Sequence, residues 1–138
     1  MLSAPENKVA EILDGELFLS PRLVPRHSVA SSRLRAALRP FDEGQEGPAA
    51  WWILFAPEVH FGEDVIVPDV GGWRRESMPV MQDVPFFSLA PDWVCEVLSP
   101  STASIDRGRK LRIHAEAGVA DAWLVNRAER TLSLPFRA

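Results

Sequence analysis

The chain has 138 residues, 46% apolar and 25% charged, which suits one soluble domain around one hydrophobic core. No apolar run approaches the roughly 18–20 residues that cross a bilayer, and the first ten residues, Glu6 and Lys8 among them, lack the apolar stretch of a signal peptide. A net charge of −4 argues against a protein that simply coats nucleic acid, which would be basic overall. The lone cysteine, Cys95, cannot form an internal disulfide. Inside an apolar run it reads as a buried structural thiol, and a reducing cytoplasm is the expected compartment. The basic residues are thirteen Arg and only two Lys, Lys8 and Lys110, so the position of each lysine carries information.

In chain order, Pro5 to Leu13 has helical spacing, with Val9, Ile12 and Leu13 on one face and Gly15 past the end. Glu16 to Ser20 reads as a short strand closed by Pro21. His27 to Arg39 again has helical spacing (Ala30, Leu34, Ala37, Leu38), with Arg33, Arg35 and Arg39 on its other sides and Pro40 ending it. Asp42 to Ala50 is a polar loop. Trp51 to Ala56 is an apolar strand, and Val65 to Val70 another, interrupted by Pro68, which belongs at an edge, a bulge or a site. Gly71 to Pro91 is a long irregular segment of the kind that often forms a functional loop; Trp73 within it is a core residue first, with a substrate contact as the alternative. Trp93 to Leu98 is apolar on both faces apart from Glu96, as in a central strand. After the hydroxyl-rich turn Ser99 to Ser104, Ile105 to Ala117 is a helix with Ile105, Leu111 and Ala115 as apolar positions and Gly118 as its stop. Ala122 to Val125 and Thr131 to Leu134 are the last strands. The expected architecture is one α/β domain, a mixed central β-sheet flanked by helices.

Two carboxylates stand where carboxylates do not pack for stability. Asp69 ends the run VIVPD and Glu96 lies inside WVCEVL. An ionised carboxylate buried alone costs several kcal/mol, so Glu96 implies an arginine, a set of hydrogen bonds or a divalent cation. If their strands are neighbours, the two acids meet at one point. Such hard oxygen ligands suit Mg²⁺ or Mn²⁺, which need only one or two carboxylates plus waters and substrate phosphate.

The run from Ala90 to Asn126, APDWVCEVLSPSTASIDRGRKLRIHAEAGVADAWLVN, resembles the core of the Uma-type restriction endonucleases, bacterial proteins of the PD-(D/E)XK nuclease superfamily. The matching elements are Pro68-Asp69, then Glu96-Val97-Leu98-Ser99-Pro100-Ser101, Asp106, Lys110, Gly118-Val119 and Trp123-Leu124-Val125. The N-terminal half is similar too, in Asp14-Gly15-Glu16, Ser20-Pro21 and His27 opening a helix. The resemblance implies a restriction-endonuclease-like core with Asp69 and Glu96 as metal ligands. Leu98 stands where the superfamily signature has a lysine, so Lys110, on the following helix, becomes the migrated catalytic lysine. Asp106, His27 and Glu16 are supporting candidates, each also readable as an ordinary helix-end or surface residue. Ser99 and Ser101 shape the turn and cap the helix.

The implied function is a Mg²⁺- or Mn²⁺-dependent endonuclease hydrolysing DNA phosphodiester bonds. Arginines of residues 33 to 39 or 107 to 112 would hold the phosphate backbone. A homodimer is the expected partner, since cutting both strands takes two sites, and no membrane is involved. The alternative is a catalytically inactive nuclease-fold module for DNA binding or assembly, favoured by the acidic balance and the missing Glu-x-Lys lysine. Residues 1–138 are expected to form a single nuclease-like domain, short for the family and lacking a C-terminal edge element.

Overall fold

The computed structural model describes residues 8–21, 51–98, 104–126 and 131–136. The first described element is β1 (Lys8–Leu13), followed by β2 (Glu16–Pro21). This corrects the helix expected over Pro5 to Leu13. Asp14 and Gly15 both take positive φ, 52° and 83°, the two-residue hairpin turn for which Asp-Gly is a preferred pair. Gly15 therefore turns a hairpin instead of ending a helix, and Leu13 pairs directly with Glu16.

The remaining strands are β3 (Trp51–Phe55), β4 (Val59–Phe61), β5 (Asp64–Ile66), β6 (Val70–Arg74), β7 (Trp93–Leu98), β8 (Asp121–Asn126) and β9 (Thr131–Phe136). One helix is described, α1 (Ser104–Glu116). The strands form two sheets. The first is antiparallel, in the order β2-β1-β5-β4; the second runs β3-β6-β7-β8-β9 and is mixed, with β7 and β8 parallel across α1. Among the described residues the single flanked sheet is thus replaced by two sheets and one helix. The expected helix from His27 to Arg39 lies outside the described residues.

The run VIVPDV, expected as one strand, is divided. Val65 and Ile66 belong to β5 in the first sheet and Val70 to β6 in the second. Pro68, fully buried, has no N–H to contribute to a ladder and fixes φ, so the chain changes sheets at Val67-Pro68-Asp69. The irregular segment also shortens, because Val70 to Arg74 pairs with both β3 and β7. Trp73, fully buried in β6, gives its indole N–H to the Leu89 carbonyl at 3.0 Å. It packs with Leu13, Ile66, Phe87 and Ile113 between the sheets, and its burial removes it as a substrate contact.

The opposite face of the second sheet is also apolar, with Val70, Trp93 and Cys95 packed by Trp51, Ile53 and Phe55. Burial on both faces explains the unbroken apolar reading of β7. Helix α1 ends as expected at Gly118, whose φ of 96° accompanies bonds from Val119 N to His114 O and from Gly118 N to Ala115 O, a Schellman closure. Its buried positions are Ile113 and His114, whereas the expected apolar position Ala115 is exposed.

Gly72 lies under the indoles. A Cβ built there meets Trp93 at 2.9 Å, Ile53 at 3.2 Å and Trp51 at 3.3 Å. Gly72→Ala is expected to destabilise the fold by ~1–3 kcal/mol through overpacking, read as a lowered Tm in thermal unfolding; an unchanged Tm would show that the rings shift freely.

Candidate active site

The change of sheets at Pro68 leaves the Val67 backbone without a ladder partner, and polar side chains supply its hydrogen bonds. The Val67 N–H donates to Glu11 Oε2 at 2.8 Å. Its carbonyl accepts from Lys110 Nζ at 3.2 Å. The same ammonium donates to Glu96 Oε2 at 3.2 Å and pairs with Glu11 Oε2 at 3.0 Å. Three N–H groups of one lysine thus meet three acceptors, one from each sheet and one from the connection between them.

Asp69 follows at the start of β6. Val70 pairs with Cys95, so one step further along this antiparallel register Asp69 falls opposite Glu96. The carboxylate of Asp69 is fixed by the neighbouring strand itself: the Val97 N–H donates to Oδ2 at 2.6 Å. Asp69 and Glu96 therefore stand opposite each other, and Lys110 reaches Glu96 from α1.

The electrostatics follow from crowding acids in a dry place. Burial pushes the Asp69 carboxyl up to about 7, and the Glu96 charge adds to the effect; Lys110 and the Val97 N–H oppose it. Glu96 is likewise raised by burial, against the pull of Lys110, with Glu11 adding repulsion. For Lys110 burial works against the charge, yet Glu96, Glu11 and Asp69 outweigh it and hold the ammonium above its ordinary value. Cys95 is pushed up to about 12 by burial, Glu96 and Asp69, an inert thiol, as its place in the apolar run predicts.

Two members of the cluster escaped the sequence reading. Glu11, 4% exposed, sits in KVAEIL as Glu96 sits in WVCEVL, a carboxylate inside an apolar strand. Reading that run as a helix hid the signal. His114, fully buried, lies one helical turn beyond Lys110, with Nε2 3.5 Å from Glu96 Oε1. Burial and the Lys110 charge lower its pKa to about 3, so the ring is neutral.

The supporting candidates do not join this cluster. Glu16 is on the hairpin surface, paired with Arg109 at 3.3 Å. Asp106 lies in the first turn of α1, its side chain outside the described residues, and His27 also lies outside them. Of the arginines expected to hold phosphate, residues 33 to 39 are not described, and the Arg107 side chain is not either. Arg109 and Arg112 are engaged with the hairpin acids Glu16 and Asp14, so they tie α1 to β1 and β2.

A divalent cation fits this donor set. Asp69 and Glu96 offer hard oxygens, the Glu96 charge helps to raise the Asp69 carboxyl, and Glu96 Oε1 is buried with no hydrogen-bond partner among the described residues. No group of three or more His, Cys, Asp or Glu side chains arranged to hold a metal occurs among those residues. Two carboxylates are too few for a site closed by four protein ligands, and a cation held here would complete its shell with water. No described helix is long and apolar enough to cross a membrane.

The fold is shared with a solved protein from Anabaena variabilis described as a "putative nuclease belonging to DUF820". The two align with a TM-score of 0.80 over 98% of this chain and 75% of that one, at 21% sequence identity; that degree of identity establishes the fold alone. No curated protein matches the sequence. The profile of the family described as "Uma2: Putative restriction endonuclease" matches residues 2–137. The chain belongs to that family, and nuclease is the class of function that the membership supports.

Proposed function

We propose that the protein is a divalent-metal-dependent DNA endonuclease of PD-(D/E)XK type, with Asp69 and Glu96 as ligands of Mg²⁺ or Mn²⁺ and Lys110 as the catalytic lysine. The observation that carries the proposal is that Asp69, held by the Val97 N–H, stands opposite Glu96 in the β6–β7 register, and that Glu96 is met by Lys110. A bound ion of this kind activates water and offsets the charge that grows on a phosphodiester during hydrolysis. The chain's own residues prepare that chemistry. Asp69 is oriented by the Val97 N–H, and Glu96 by Lys110. Glu11 keeps the ammonium in place and charged, a fixed positive charge beside the site where negative charge grows. Cutting both strands of a duplex takes two such sites, which a homodimer supplies, and the single buried thiol suits a reducing cytoplasm.

A second reading, an inactive nuclease-fold module that binds DNA, is favoured by one observation. Lys110 already pairs with Glu11 and Glu96, so both acids have a cationic partner without any metal.

Titration calorimetry with Mg²⁺ and Mn²⁺, paired with plasmid nicking, separates the two. Wild type is expected to bind and nick, and Asp69→Ala to lose both. Lys110→Ala is expected to retain binding while nicking falls by about 10²–10³-fold, the scale of losing one preorganised electrostatic contact. A wild type that binds neither ion and leaves the plasmid intact would leave the inactive module.

Asp69 also has a metal-free signature. Its carboxyl titrates near 7 in the folded chain against an ordinary 3.8. Between about pH 4 and 7 the unfolded chain has released a proton that the folded chain keeps, so this group's contribution to stability falls as pH rises through that window. In EDTA, Asp69→Asn, with no proton to lose, is expected to have a higher Tm than wild type at pH 8, the gap narrowing toward pH 4. A gap of the same size at both ends would mean that Asp69 is not the group responsible.

A further inference from the structure

Helix α1 meets the Glu96 carboxylate with two side chains, four residues and about one turn apart. Lys110 Nζ takes Oε2 at 3.2 Å, and His114 Nε2 stands 3.5 Å from Oε1. Neither Oε1 nor either ring nitrogen of His114 makes a hydrogen bond among the described residues, so at 3.5 Å Nε2 and Oε1 are unsatisfied neighbours just short of a formed bond. The ring is fully buried and braced edge-on by Phe61, with centroids 6.1 Å apart at 82°. Its backbone is fixed too, since the His114 carbonyl accepts the Val119 N–H that closes the helix.

We infer that His114 is a positioning residue for Glu96: its Nε2–H holds Oε1 while Lys110 holds Oε2, so that the carboxylate is clamped by successive turns of one helix. This rests on the reading of Glu96 as a metal ligand. The carboxylate has two lone pairs on Oε1. A hydrogen bond from His114 would occupy one and leave the other to a cation, so the clamp would fix the direction in which Glu96 presents that oxygen. A ring that merely filled space would leave the carboxylate free to turn about its last bond.

The test compares wild type, His114→Leu and His114→Gln for Mn²⁺ affinity by calorimetry, with thermal unfolding as the check on folding. His114→Leu keeps apolar bulk beside Phe61 and removes the donor. It is expected to weaken Mn²⁺ binding by about 10–100-fold, the effect of losing a group that orients a ligand. His114→Gln offers an amide N–H in place of the ring N–H and is expected to restore most of the affinity. A Leu variant that binds Mn²⁺ as tightly as wild type overturns the inference and leaves His114 as core packing. If the Leu variant fails to fold, a folded Gln variant that binds no better than tenfold below wild type overturns it equally.

Nitrogen-15 NMR of metal-free wild type supplies an independent readout. The expected result is a ring protonated on Nε2 and bare on Nδ1. The opposite tautomer would remove the clamp whatever the metal does. Wild type that binds no Mn²⁺ is a different failure: it sinks the metal-nuclease reading, and the role argued for His114 with it.

Discussion

One buried ammonium joins the two halves of the molecule. Lys110 reaches from α1 to Glu11 in the first sheet, Glu96 in the second and the Val67 carbonyl between them. Buried charges are costly to desolvate, and they persist only where geometry and hydrogen bonds compensate. Here compensation is mutual. The lysine opposes the rise that burial gives Glu96, and the acids keep it charged. Removing any one member leaves an unmatched charge in a dry site, so the residues assigned to chemistry also hold the sheets in register.

The position of the site follows from a proline. Pro68 cannot join a ladder, and the chain uses that break to pass from one sheet to the other. The passage exposes a backbone donor and acceptor at Val67, and the cluster satisfies both. It also delivers Asp69 to the position just before β6, opposite Glu96. The two acids, the lysine and the sheet crossing therefore share one place for one reason, which is that polar groups are needed where the backbone pairing stops.

The sequence is legible where a charge interrupts an otherwise uniform pattern. Glu96 in WVCEVL and Asp69 after VIVP stand out against apolar neighbours, and the helix after the Ser-Pro-Ser-Thr turn places Lys110 within reach. Glu11 carries the same signal, but Val9, Ile12 and Leu13 also satisfy a helical period, and Asp14-Gly15 serves equally as helix stop or hairpin turn. Local spacing cannot separate those readings; pairing with β5, more than fifty residues later, decides between them. Val65 to Val70 failed for a related reason, since a proline marks an interruption without saying that the flanks belong to different sheets. His114 was hidden because α1 buries Ile113 and His114 where Leu111 and Ala115 suggested the apolar face. A buried polar side chain leaves no trace in a hydrophobic pattern.

The Asp14-Gly15 turn has a consequence for the order in which the molecule forms. Its two strands are joined by two residues, so they close locally on the microsecond scale of hairpins. The bond from Val67 to Glu11, by contrast, spans 56 residues, and such non-local contacts are the slow ones, because the chain entropy is lost before they return anything. Glu11 therefore travels on a preformed ribbon, hydrated, until the sheets meet. The polar centre of the molecule is the last part of it to exist.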